Sequence, residues 1–143
     1  MIEVGNELLG SYLWGAYRAF FVLVEEKLQE YPIGAETLHI MLTLYNQGSL
    51  QQKELVRYFN KDKATLGRRL AKLEKEGLVK RIEDPADKRT KLVKLTEKGR
   101  EKETEFRDIM RSIEDRIKSE LSRTELKQFT RTIAKIHQIL NRE

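Results

Sequence analysis

The segment KDKATLGRRLAKLEK, residues 61–75, carries leucines at 66, 70 and 73 among many cations. On a helix these leucines form one buried stripe. The outer side then presents Lys61, Lys63, Thr65, Arg68, Arg69 and Lys72. Arg and Lys pair with guanine edges or phosphates, and Thr reaches either or a thymine methyl. A second basic run, DPADKRTKLVKLTEKGR, spans 84–100 and holds Asp87, Lys88, Arg89 and Lys91 near its front. Both runs offer polyanion binding rather than bond-making. A basic helix alone is usually a solvated surface, and an Asp–Arg pair in a hairpin is often an ordinary salt bridge worth little. The functional reading rests on the two runs occurring together.

The charge distribution agrees. Residues 1–47 hold 2 basic and 6 acidic side chains, 48–100 hold 16 and 8, and 101–143 hold 10 and 9. A merely soluble surface would spread its charge more evenly; here the positive field sits in the middle third. Catalysis finds little to use. The absence of Cys excludes disulfides, thiolate chemistry and a zinc ribbon. The two His, His39 and His137, lie far apart with no carboxylates at ligand spacing, so no metal site and no cofactor are expected. With no Gly-rich phosphate loop and no Ser beside a plausible base, the chain does not read as an enzyme. The apolar run 8–24 is shorter than the roughly 20 residues that span a membrane, and Arg18 interrupts it. Glu3 and Glu7 precede it where a secretory signal would be positive. A cytoplasmic protein with a buried first helix is expected. A helix apolar almost all round from Trp14 to Val24 needs cover, and a partner subunit is the economical source.

These side chains need elements to position them. Helices are expected over 6–31 and 35–46, the latter with Leu38, Met41, Leu42 and Tyr45 inward and Gly48 as its stop. An extended link at 49–50 leads into a short helix over 52–59 with Leu55, Val56 and Phe59 inward. A tight turn at Asn60 and Lys61 follows, then Asp62 as N-cap of a helix that runs to about Glu76 and stops at Gly77. Two strands, 78–82 and 91–95, flank a loop that Asp84-Pro85 initiates. Thr96 caps one long helix carrying Phe106, Met110, Ile113 and Ile117. A last helix covers 123–141, with Leu126, Phe129, Ile133, Ile136 and Leu140 on one face. Helix, tight turn, helix, hairpin is a winged helix-turn-helix, here over 34–95. The fold class is mainly α with a small β-wing, flanked by terminal helices. A major groove admits the second helix, and the hairpin reaches the adjacent minor groove.

Three motifs also resemble one family. Leu73-Glu74-x-x-Gly77-Leu78-Val79, the Asp87-x-Arg89 pair and Leu95-Thr96-x-x-Gly99 together resemble the wing region of the MarR family of transcription regulators. The likeness extends over the whole chain, 1–143. It implies a homodimer built from the helices of 1–31 and 100–143, bound to double-stranded DNA at a pseudo-palindromic operator. Such a protein is often a repressor that a small effector releases. Arg89 would enter the minor groove, Asp87 would hold it, and Thr65 and Arg68 fall where the family contacts bases or phosphates. The effector pocket the family implies would draw on Tyr12, Trp14, Tyr17, Arg18 and His39, with Arg18 receiving an aromatic or carboxylate ligand. The plainer alternative pairs Arg18 with a carboxylate such as Glu36 or one from the last helices. Three positions depart from the family: Gly67 where Ser is common, Arg69 where an apolar residue is usual, and Gln51 where Ser or Thr often caps the helix. A second class of function stays open, a winged-helix dimer that coats DNA with low specificity or assembles with other proteins.

Overall fold

The computed structural model describes residues 8–59 and 61–142. The expected helix start at Asn6, the acids Glu3 and Glu7, and Asn60 of the expected turn lie outside the described residues. In chain order the elements are α1 (Leu9–Lys27), α2 (Ala35–Gln47), β1 (Leu50–Gln51), α3 (Gln52–Phe59), α4 (Lys63–Lys75), β2 (Val79–Asp84), β3 (Asp87–Leu95), α5 (Glu97–Glu101), α6 (Glu103–Glu120) and α7 (Arg123–Leu140). They divide into two compact units, 1–109 and 110–143.

The first unit is built around α2, α3, α4 and an antiparallel sheet of order β1-β3-β2. Leu38, Met41 and Leu44 of α2, Leu55 of α3, Leu66, Leu70 and Leu73 of α4 and Val93 of β3 are fully buried. Burying each leucine contributes about 2 kcal/mol. Local chemistry fixes the helix ends. The Thr65 amide donates to the Asp62 carboxylate at 2.8 Å, capping α4 as expected. Gly48 and Gly77 adopt positive φ of 77° and 73°, backbone that glycine takes at little cost, just past the ends of α2 and α4.

Three sequence expectations need correction. The 49–50 link is the start of a third strand: Leu50 and Gln51 pair with Val93 and Leu92. The strands of the hairpin are longer than 78–82 and 91–95 and leave only Pro85 and Ala86 between them. The long helix after Thr96 is two helices, α5 and α6, separated at Lys102. The interruption is slight, since the Lys102 amide still donates to the Lys98 carbonyl at 3.3 Å and the Phe106 amide to the Lys102 carbonyl at 3.0 Å. The start of α5 is tied to the Gly77 backbone, where Thr96 Oγ1 donates to the Gly77 carbonyl at 2.5 Å and accepts from the Gly99 amide at 3.0 Å. α1, for which the sequence expects cover from a partner subunit, is largely uncovered within one chain. Of its residues only Val24 is buried, whereas Trp14 is 73% exposed.

The second unit holds the end of α6 and all of α7. Ser122 and Glu125 form a reciprocal cap that starts α7, with the Ser122 amide donating to the Glu125 carboxylate at 2.8 Å. Here Ile113 is buried, but no residue of α7 is, and Phe129, Ile139 and Leu140 are exposed. No helix among the described residues is long and apolar enough to cross a membrane.

Candidate nucleic-acid interface

α4 turns its three leucines inward, so its cations face out. Lys61, Lys63, Arg68 and Lys72 are all exposed. Thr65 is half-buried and its hydroxyl is already engaged. It donates to Asp62 Oδ2 at 2.6 Å and accepts from the Arg68 guanidinium at 3.1 Å. The Thr65 hydroxyl, followed by the Thr65 amide, holds the Asp62 carboxyl below the usual carboxylate range. One chain of hydrogen bonds therefore runs from the cap of the helix to Arg68 and limits where that side chain points.

Arg69 does not join the outward set. Its guanidinium pairs with Glu36 of α2, and only 21% of its side chain is exposed. Glu36, one of the carboxylates suggested for Arg18, is the one that pairs with Arg69. An apolar residue at position 69 would pack on α2; this chain uses an ion pair at the same seam. Gly67 is not forced by packing, since a Cβ there would meet only Gln52 Nε2 at 3.8 Å.

The wing is shaped by its own tip. Asp84 stands opposite Asp87, but Glu83 stands opposite Lys91, so the register skips Lys88, Arg89 and Thr90. Such a bulge bends a strand and re-aims its side chains. Arg89 is 92% exposed, and Asp87 holds it twice: Asp87 Oδ1 accepts from Arg89 Nε at 3.2 Å and from the Arg89 amide at 3.1 Å. Thr90 Oγ1 donates to the Asp87 carbonyl at 3.0 Å. Lys88 and Lys91 are exposed on either side. Asp84, at the other end of the turn, is buried. The Ala86 amide and then the Gln51 side-chain amide keep its carboxyl below the usual range.

Between helix and wing lies a cleft of about 230 Å³, lined by Gln52, Lys53 and Val56 of α3, Lys63 of α4, and Arg89, Thr90 and Lys91 of β3. Four of these are cations and none is acidic, which suits an anion. Lys53 and Gln52 were missed in the sequence. Their signal was weak, because the first turn of α3 looks like any solvated helix start.

The sequence-expected effector residues are less assembled. Tyr12, Trp14, Tyr17 and Arg18 are exposed along α1, with the Tyr17 ring 5.9 Å from Phe21. His39 stands edge-on to Phe59 at 4.9 Å and to Tyr58 at 6.2 Å. Loss of water around its ring lowers its pKa.

A family model described as the MarR family matches residues 35–91. Transcriptional regulator HosA of Escherichia coli O111:H- is 32% identical over 97 residues, 68% of this chain and 72% of that protein. The chain belongs to the MarR family. It is a MarR-type, DNA-binding transcription regulator and not an enzyme. The uncharacterized HTH-type transcriptional regulator YdgJ of Bacillus subtilis is 37% identical over 70 residues, 49% of this chain and 43% of that protein, so the match spans less than half of that relative. Among solved structures, a MarR transcriptional regulator from Methanosarcina mazei Go1 superposes with a TM-score of 0.84 at 27% identity, covering 93% of this chain and 96% of that one. Two others are similar in fold. The S. aureus MepR–DNA complex has a TM-score of 0.83 at 24% identity, covering 93% and 98%. Bordetella bronchiseptica BpsR, whose DNA binding is regulated by 6-hydroxynicotinic acid, has a TM-score of 0.81 at 24% identity, covering 92% and 94%. MarR membership accounts for the motifs around the wing.

Proposed function

We propose that this MarR chain acts as a homodimer on a pseudo-palindromic operator, as a repressor, with α4 in the major groove and Arg89 in the adjacent minor groove. The observation that carries the reading is the bulged wing, with an exposed Arg89 held by Asp87 beside a cation-lined cleft. A helix in one groove and a hairpin in the next must straddle the sugar-phosphate backbone that separates them. The cleft between α4 and the wing is where that strand would pass, and Lys53, Lys63 and Lys91 are its phosphate partners. Phosphate contacts fix position, while Arg68 and Arg89 are the candidates for reading sequence.

Dimerisation is supported by apolar surface that one chain leaves uncovered: Leu8, Leu9, Tyr12 and Trp14 at the start of α1, and separately Phe129, Ile139 and Leu140 of α7. Exposed apolar side chains gathered on one helix suit an association surface. An effector of aromatic carboxylate type is in keeping with the 6-hydroxynicotinic acid response of BpsR. In this chain it would need the second subunit to enclose Arg18, Tyr12, Trp14 and Tyr17, with His39 as a further candidate.

Salt dependence tests the phosphate part. Each neutralised phosphate contributes a slope of about −0.9 to log K against log salt. A dimer using several lysines per subunit should lose on the order of 10³-fold in affinity for duplex DNA between about 50 and 200 mM salt. Fluorescence anisotropy with a labelled duplex reads this directly. A flat response would remove the cleft and the α4 cations from the interface.

A further inference from the structure

The exposed Arg89 is useful only if the wing tip it rides on holds still, and one contact from outside the hairpin reaches that tip. Gln51 sits where β1 meets α3, and its Nε2 donates to Asp84 Oδ2 at 2.6 Å. The other oxygen of the same carboxylate accepts from the Ala86 amide at 2.9 Å. Asp84 therefore closes the turn with one oxygen and with the other anchors it to Gln51, the residue that leads from β1 into α3. The backbone of Gln51 is fixed as well. Its amide donates to Glu54 Oε2 at 2.7 Å, and it pairs with Leu92 across the sheet. With Glu54 supplying a carboxylate to the amide that opens α3, the side chain at 51 is free to reach the wing. Ser or Thr at this position is too short to do so.

We propose that Gln51 is a positioning residue for DNA binding: through Asp84 it locks the wing tip to α3 and so sets the direction in which Arg89 is presented. This rests on the wing reading above. The physical effect is a smaller loss of freedom on binding, because a tip already fixed in the free protein need not be ordered by DNA. Ordering a mobile side chain at an interface costs enough to change affinity by about 2- to 10-fold.

The test uses the full chain and the duplex it enriches most from a randomised library. Gln51→Ala is expected to weaken binding by about 5- to 10-fold, with a parent-like circular dichroism spectrum and a melting temperature lowered by a few degrees, because Asp84 loses a donor. Gln51→Glu, which sets a carboxylate against Asp84, should lose at least as much. Asp84→Asn still offers an acceptor to Ala86 and an N–H to a turned Gln51 amide, so binding should stay within about twofold of the parent. The deciding measurement is Gln51→Ala combined with Arg89→Ala. If Gln51 acts through Arg89, it should cost less than about twofold in that background. An equal loss in both backgrounds would overturn the proposal and make Gln51 a direct DNA contact or a structural prop. Parent-like binding by both Gln51 variants would overturn it too. If Arg89→Ala is itself silent, the wing reading fails first, and the two failures are told apart.

Discussion

Gly99→Ala should destabilise the protein by about 3 kcal/mol, although alanine is the better helix former. Gly99 lies in the first turn of α5, and a Cβ there would fall well inside van der Waals contact of the Leu78 carbonyl oxygen and 3.1 Å from its carbonyl carbon. Leu78 is backbone at the root of the wing, so it cannot swing aside as a side chain would. Its carbonyl also accepts from the Thr96 amide at 3.1 Å, and the Tyr45 hydroxyl donates to the Gly99 carbonyl at 2.5 Å. Burial raises the Tyr45 pKa, so this donor stays protonated across the physiological range. Pushing α5 away would strain all of these bonds. The matched control is Gly67→Ala, where the nearest atom leaves ordinary contact distance and the helix should gain up to about 1 kcal/mol. Urea unfolding of the two variants should therefore move the midpoint in opposite directions. A Gly99→Ala midpoint at or above the parent's would show that the close approach of α5 to Leu78 is wrong.

Arg89→Ala should weaken operator binding by on the order of 10- to 100-fold while leaving the melting temperature nearly unchanged. The asymmetry follows from exposure. An ion pair whose arginine is 92% in solvent contributes little to folding. In a narrow groove the same guanidinium leaves water, and its prior contact with Asp87 limits the orientations it must give up. The salt slope should also fall by about one unit if the guanidinium neutralises a phosphate, and by less if it reads base edges. Lys88→Ala is the comparison: a phosphate contact weakens binding uniformly across sequences, whereas a groove contact relaxes specificity at one position.

What could be read in the sequence divides by range. The Asp62 cap, the leucine stripe of α4 and the glycine stops at 48 and 77 depend on residues within a turn of one another, and each appears where expected. The Asp87–Arg89 pair is equally local, being two residues apart. What escaped involves distant partners. β1 is two residues long and exists because Val93 and Leu92 pair with it. The requirement for glycine at 99 is set by the Leu78 backbone, twenty-one residues earlier in the chain. Arg69 reads as one more outward cation until Glu36, from another helix, turns it inward. The wing strands run further than their apolar alternation suggests, because the charged residues near the tip follow the ladder and bulge rather than a buried face. Gln51 looked like a missing helix cap. Its role became visible only when Asp84 came within 2.6 Å.

The central claim is sequence-specific recognition by a symmetric pair of subunits, and selection from a randomised duplex library tests it most directly. The expected result is a two-fold symmetric enriched sequence that competes at least about 10³-fold better than an unrelated duplex at physiological salt. Equal competition by the unrelated duplex, or enrichment without symmetry, would contradict the account and favour a low-specificity DNA-coating or assembly role.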